Sequence, residues 1–284
     1  YKVTGVQTCA LPICGFMIAE VARLLKENKK KLPFGFDVIS KLLEFLWEEK
    51  LTIDTPNGKV LFQTPTSLNR YRAQTLLTKE PETIFWLDEI PFHSCLWDIG
   101  ANVGIYSVYA ALFRHSRVIA VEPSSINLDL LFRNIQNNKC EDSITILPIA
   151  VGSSNSQEFL YMSRENLTWG GAHNSAGQPV MQSGEPMHEP VKSLQLVATI
   201  DQLIQSYKIT KPEYIKIDVD GLELNVLIGA LGIFPNLKSI LIEIDIGNQK
   251  NLSLVEEFLE SHNFVKRTLI GSVVLSENQI WDKV

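Results

Sequence analysis

The residues best placed to do chemistry begin with Asp98-Ile99-Gly100-Ala101-Asn102-Val103-Gly104, where a short apolar run gives way to a helical pattern. Small residues at such a turn let the backbone approach a ligand, and the helix that follows offers it unpaired N–H groups. The glycines follow a Gly-x-x-x-Gly spacing, whereas dinucleotide pyrophosphates favour Gly-x-Gly-x-x-Gly. An acidic residue at the mouth suits a cationic ligand. S-adenosylmethionine carries a sulfonium and an ammonium, and Asp98 is placed to hold its amino-acid end, with Gly100, Ala101, Asn102 and Gly104 around it. Glu122 stands 22 residues beyond Gly100 (122 − 100), where a carboxylate can accept both hydroxyls of an adenosine ribose. Pro123 and Ala150, at the ends of the second and third strand patterns, complete the expected cofactor set. Nicotinamide dinucleotides carry the same ribose, so Glu122 alone does not choose between them, and the glycine spacing tips the balance.

A second group of carboxylates follows. Asp218 and Asp220 leave the fourth strand pattern and Glu243 and Asp245 the fifth, at the edge where open α/β sheets bind ligands. Clustered carboxylates raise one another's pKa, which suits a general base or a bound cation. Asp218 is ranked first, as base or as acceptor-positioning group, with Glu243 or His173 as its companion. Strand alternation puts Lys216 on the side of Asp218, so a Lys–Asp pair is expected, structural or catalytic. Asp220 is a candidate acceptor contact, although it and Glu223 could simply charge the following helix start. In Trp169-Gly170-Gly171-Ala172-His173-Asn174, Trp169 could stack on a sugar and His173 could act as a base near neutral pH. No metal site is specified, since the acids form no recognisable loop and no His pair has fixed spacing.

These side chains need a parallel sheet to hold them. Strands are expected at Cys95–Ile99, Arg117–Glu122, Ile144–Val151, Tyr214–Val219 and Lys238–Ile246, all short, apolar and rich in β-branched residues. Helices are expected at Gly104–His115, Ser124–Asn138, Thr199–Tyr207 and Gly221–Ala230, and again after Asn251. This alternation gives an α/β fold with an open, Rossmann-like, mostly parallel sheet, closed at one edge by an antiparallel hairpin over Phe264–Leu275. A lead-in over 51–94 holds a hairpin around Pro56-Asn57-Gly58 and a helix. The stretch 153–193, rich in Gly, Ser, Asn and Pro, reads as an irregular insertion that covers the acceptor. Before it all, 17–50 reads as a helical appendage of two amphipathic helices, Met17–Lys31 and Phe36–Glu49.

The segments LWDIGANVGIYSVYAAL, VIAVEPSSINLDLLFRNIQNN, ILPIAVG, ATIDQLI, YIKIDVDGLELNVLIGA and SILIEID resemble, in this order, the FkbM methyltransferase family, and KEPETIFWLDEI resembles its lead-in in some members. Asp220-Gly221-Leu222-Glu223 departs from the more usual Glu-Gly-Ala-Glu but keeps the acidity. The resemblance implies a class I methyltransferase sheet and S-adenosylmethionine-dependent O-methylation, on acceptors such as polyketides, sugars or glycolipids. Two rival functions remain on the sequence alone. One is a nicotinamide-dependent oxidoreductase, for which Tyr207 and Lys211 have the Tyr-x-x-x-Lys spacing but Pro212 spoils the helix. The other is a non-catalytic binding module.

Bulk properties narrow the partners. A net charge of −6 over 284 residues leaves no general basic surface for nucleic acid and favours a small-molecule or carbohydrate acceptor. Cys9, Cys14, Cys95 and Cys140 show no CxxC pair, which suits a reducing, cytoplasmic setting. No apolar run is long enough for an integral membrane segment. The first sixteen residues, 1–16, read as an artefact, because Val3–Ile13 looks like a translated sequencing adapter.

Overall fold

The computed structural model describes residues 40–284 apart from 42, 43, 46, 165, 166, 173, 182, 184 and 269–276. The segment 1–16, the helix expected over Met17–Lys31 and most of that over Phe36–Glu49 lie outside the described residues. The chain divides into two units, Tyr1–Glu49 and Lys50–Val284, and the second carries everything that follows.

That unit opens with a hairpin of β1 (Lys50–Thr55) and β2 (Gly58–Gln63), paired from Lys50↔Gln63 to Thr55↔Gly58 around the Pro56-Asn57 turn. Two helices follow, α1 (Ser67–Gln74), capped by Thr66, and α2 (Pro81–Glu89), which starts on a proline. The alternating region then runs β3 (Cys95–Ile99), α3 (Ile105–Arg114), β4 (Arg117–Val121), α4 (Ser125–Asn137) and β5 (Ile144–Leu147). After an interruption come α5 (Ile200–Tyr207), β10 (Tyr214–Ile217), α6 (Glu223–Ile228), a 3₁₀ turn over Leu231–Asn236, β11 (Ser239–Glu243) and α7 (Gln249–Ser261). The closing pair is β12 (Phe264–Lys266) and β13 (Asn278–Lys283).

The main sheet has the order β12-β13-β11-β10-β3-β4-β5. From β11 to β5 the pairings are parallel, while β13 runs antiparallel to both β11 and β12. The expected edge hairpin is therefore present in its strands; its turn around Gly271 lies outside the described residues. Every residue of β3 is buried, as a central parallel strand covered on both faces requires. The chain moves outward from β3 through β4 to β5, then returns to the other side of β3 with β10. The strand order thus reverses between β3 and β10, and the crevice at their carboxyl ends is where such sheets take ligands.

The expected strand Ile144–Val151 is two strands. Pro148 breaks the run after β5, and β6 (Ala150–Val151) joins a second sheet of order β6-β9-β7-β8, with β7 at Ser156–Met162, β8 at Asn174–Ala176 and β9 at Val191–Ala198. The stretch 153–193 is therefore not the irregular insertion expected of it. Its Gly, Ser and Pro content hid the strand around Leu160, whose side chain is buried. The lead-in belongs to the same compact unit as the sheet. Asn134 accepts from Gln63 N at 2.9 Å and Asn138 from Leu61 N at 2.9 Å, so α4 supplies β2 with hydrogen bonds a strand would otherwise give. Trp86, 1% exposed, donates to Ser239 Oγ at 3.0 Å and fastens α2 to β11.

Candidate active site

A cavity of about 390 Å³ opens at the carboxyl ends of β3, β4, β10 and β11, walled on one side by α1 and the turns after it. Asp98, Gly100, Ala101, Asn102, Glu122, Pro123, Ala150, Lys216, Asp218, Asp220 and Glu243 all line it. Gly104 does not. It caps α3 in the left-handed region at φ 79°, and a Cβ there would lie 2.3 Å from the Leu131 side chain, so this glycine serves helix packing. Gly100, at φ 83°, has a sharper constraint: a Cβ would come within 1.8 Å of the Asp218 carbonyl oxygen, because the turn after β3 runs against the end of β10.

Asp98 is buried, and its Oδ2 accepts from Ser107 Oγ at 2.5 Å. Burial pushes its carboxyl above the ordinary range, against the pull of Lys216 and Ser107. Its Oδ1 is buried with no hydrogen-bond partner among the described residues, and the same holds for Asn102 Oδ1. Two buried acceptor oxygens without donors are costly unless a ligand completes them. Asn102 also donates its backbone N–H to Glu122 Oε2 at 2.8 Å, while Glu122 Oε1 accepts from Ser124 N at 2.8 Å. These bonds lower the Glu122 pKa, but burial outweighs them and pushes it up to about 7.

The deeper half is a charged cluster. Parallel register sets Lys216 beside Asp98 and Leu241, and its Nζ reaches Asp218 Oδ2 at 2.9 Å. The Lys216 side chain is 2% exposed and that of Asp218 30%, so the pair is buried at one end and open to the cavity at the other. Burial opposes the lysine's charge, yet Asp218, Asp98, Glu80 and Glu243 together hold its pKa above the ordinary value. Burial likewise opposes ionised Asp218, but Lys216, with Lys79 and Arg72 beyond it, holds this carboxyl below the ordinary aspartate range. Glu243 goes the other way: the Asp218 charge first, then burial, pushes it up to about 9. At neutral pH one carboxyl of the pair is thus a base and the other an acid, the separation that acid–base chemistry uses. Glu80 is paired with Lys79 at 2.5 Å, and Tyr106 hydrogen-bonds Glu80 with its hydroxyl pKa raised by burial first and Glu80 second.

Residues 169–172 form a strap tied to α1 and to the turn after β3. Asn69 Nδ2 donates to the Trp169 carbonyl at 2.9 Å, Arg72 Nε to that of Gly170 at 2.9 Å, and Asn102 Nδ2 to that of Gly171 at 3.1 Å. Asn174 N donates to Asp220 Oδ2 at 3.1 Å. Trp169 is half-buried in this strap and does not line the cavity. His173 lies outside the described residues. Asp245 is not on the wall either, because β11 ends at Glu243 and Asp245 Oδ1 instead accepts from Gly247 N at 2.7 Å in the next turn. Glu223 is fully buried at the start of α6, accepting from Gly221 N and Asn251 Nδ2, each at 2.7 Å, which is a structural role. The Tyr207–Lys211 spacing carries no chemistry, since α5 ends at Tyr207, whose side chain is 72% exposed.

Sequence reasoning missed the α1 wall, with Tyr71, Arg72, Lys79 and Glu80, and it missed Tyr106. No local pattern marks them, because their place depends on how the lead-in docks onto α4.

Residues 98–266 match the family described as the methyltransferase FkbM domain. The match begins at Asp98 and so leaves α1 outside it. A hexuronic acid methyltransferase, AglP of Haloferax volcanii, is 26% identical over 177 residues, which cover 62% of this chain and 66% of that protein. The chain thus spans just under two thirds of this relative. Among solved structures, a precorrin-6y C5,15-methyltransferase from Geobacter metallireducens is 14% identical with a TM-score of 0.44, covering 75% of this chain and 93% of that one. TrmK of M. capricolum, in complex with S-adenosyl-homocysteine, is 10% identical with a TM-score of 0.40, covering 71% and 67%.

Proposed function

The chain belongs to the FkbM methyltransferase family, and from that premise we propose that it methylates an oxygen of a carbohydrate acceptor, using S-adenosylmethionine. The observation that carries the cofactor's place is the pair of buried, unpartnered oxygens, Asp98 Oδ1 and Asn102 Oδ1, on the wall of a crevice at the strand-order reversal. Acceptor oxygens there suit an ammonium, which brings only donors. Glu122 would take the ribose hydroxyls, with Ala101, Pro123 and Ala150 lining the remaining wall. When bound, the cofactor supplies a methyl group on a cationic sulfur.

The chain's own work lies in orienting the acceptor and taking its proton. Asp218, ionised beside Lys216, accepts a hydrogen bond from the acceptor hydroxyl and aims its lone pair. Glu243, protonated at neutral pH, donates to a neighbouring oxygen of the same acceptor. As the hydroxyl oxygen gains its third bond, its proton becomes strongly acidic and passes to Asp218, so a carboxylate of low pKa suffices as base. Asp220 adds an acceptor oxygen at the rim, and the strap carrying Trp169 narrows access to water.

The relative that acts on a hexuronic acid supports a sugar as the acceptor. The net charge of −6 supports the same choice over nucleic acid. The buried thiols Cys95 and Cys140 suit a reducing, cytoplasmic setting. Among the described residues no helix is long and apolar enough to cross a membrane.

The test is methyl transfer itself: isotopically labelled S-adenosylmethionine, a panel of sugars and sugar conjugates, and mass detection of methylated product. Product from the wild type, with turnover cut at least about a hundredfold in Asp218→Asn, is the expected result. Product formed equally well by Asp218→Asn would remove Asp218 from the base's role.

A further inference from the structure

Three cations, Arg72, Lys79 and Lys216, line the cavity among its described residues. Two already have carboxylate partners, Lys79 in Glu80 at 2.5 Å and Lys216 in Asp218 at 2.9 Å. Arg72 differs. Its Nε donates to the Gly170 carbonyl at 2.9 Å, and among the described residues no carboxylate lies within ion-pair distance of its guanidinium. A guanidinium fixed through Nε keeps its terminal N–H groups in a set plane, the geometry that receives a carboxylate through two parallel hydrogen bonds.

Position assigns this group to the acceptor half. Arg72 lies near enough to Asp218 to help hold that carboxyl ionised, whereas Glu122 and its N–H donors sit at the end of β4. Tyr71, 52% exposed, also lines the cavity and offers it an aromatic face. Several acids of the cavity already have partners: Asp218 is paired with Lys216, Glu80 with Lys79, Asp98 accepts from Ser107, Glu122 accepts backbone N–H groups, and Asp220 accepts from Asn174.

We propose that Arg72 is a specificity-determining residue that binds a carboxylate on the acceptor, so that the site selects an acidic sugar over its neutral counterpart. This rests on the methyl-transfer reading above. The cofactor has a carboxylate of its own, and the experiment separates the two.

The full chain, saturated with S-adenosylhomocysteine, is titrated calorimetrically with D-glucuronate and with D-glucose, as wild type, Arg72→Gln and Arg72→Lys. The wild type is expected to bind glucuronate at least about tenfold more tightly than glucose, the scale of a charge-assisted hydrogen bond. Arg72→Gln brings the ratio close to one, Arg72→Lys keeps part of it through charge without the fork, and both bind S-adenosylhomocysteine as the wild type does. Absence of any preference in the wild type, including binding of neither sugar, overturns the proposal, as does a preference that survives Arg72→Gln. A large loss of S-adenosylhomocysteine affinity in Arg72→Gln also overturns it, by giving Arg72 to the cofactor's carboxylate. Failure of the wild type to bind S-adenosylhomocysteine would instead refute the methyl-transfer reading itself.

Discussion

Replacing Glu243 by Gln tests the division of labour between the two deep carboxyls. Facing Glu243 are Asp218 and Lys216 from β10 and Glu80 and Lys79 from the lead-in, and their balance, with burial, raises its carboxyl from 4.5 to about 9. A group whose pKa is raised in the folded state contributes stability that is complete below the unfolded value and is lost as pH rises toward the folded one. Each pH unit in that window is worth roughly 1 kcal/mol, so passing from pH 6 to pH 8 removes on the order of 3 kcal/mol at most. For a unit of this size each kcal/mol moves the melting temperature by about 2–4 °C, so the wild type should lose up to roughly 10 °C over that range. Gln imitates the protonated carboxyl and does not titrate. Thermal melts followed by circular dichroism at pH 6, 7 and 8 should therefore show a steep wild-type profile and a flatter Glu243→Gln profile. The contribution of Glu122, which titrates near 7, is common to both proteins and cancels in the difference. Parallel profiles would refute the reasoning, since Glu243 would then be ionised alongside Asp218 throughout.

Lys216→Met strands Asp218 without its cation and should cost about 3–5 kcal/mol in chemical denaturation, while the double variant Lys216→Met/Asp218→Leu recovers much of it; equal stability of all three proteins would contradict the buried pair. Because ribose hydroxyls bond the ionised form of Glu122, calorimetric affinity for S-adenosylhomocysteine should strengthen from pH 6 to pH 8 in the wild type and stay level in Glu122→Gln. Gly100→Ala combines an unfavourable φ with a clash against the Asp218 carbonyl and should destabilise by more than about 1 kcal/mol, read from denaturant midpoints, with weaker cofactor binding.

The parallel sheet was legible because each of its strands is a short apolar block closed by a turn, as in Cys95–Ile99 before Gly100. The Lys216–Asp218 pair was legible from strand alternation alone, and the turn after β3 from its glycines. The second sheet was not, since Gly177, Pro179 and the surrounding polar residues mask the alternation along β7 and β9, and β6 shares an apolar run with β5. Asp245 was misplaced because β11 ends two residues before it, a boundary fixed by the turn bond from Gly247 N. Arg72 and Glu80 were invisible for a different reason. They reach the cavity through long-range docking of the lead-in, such as the bonds of Asn134 and Asn138 on α4 to β2 between residues more than seventy positions apart, and nothing in the local pattern announces it.

The central claim is that the crevice at the β3–β10 reversal holds S-adenosylmethionine through Asp98, Asn102 and Glu122. Calorimetric titration of the wild type and of Asp98→Asn with S-adenosylmethionine, S-adenosylhomocysteine and NAD tests it most directly. The expected result is one-to-one binding of the first two ligands, at least about tenfold weaker in Asp98→Asn, with no heat from NAD. Binding of NAD alone, or binding of S-adenosylmethionine that Asp98→Asn leaves untouched, would contradict it.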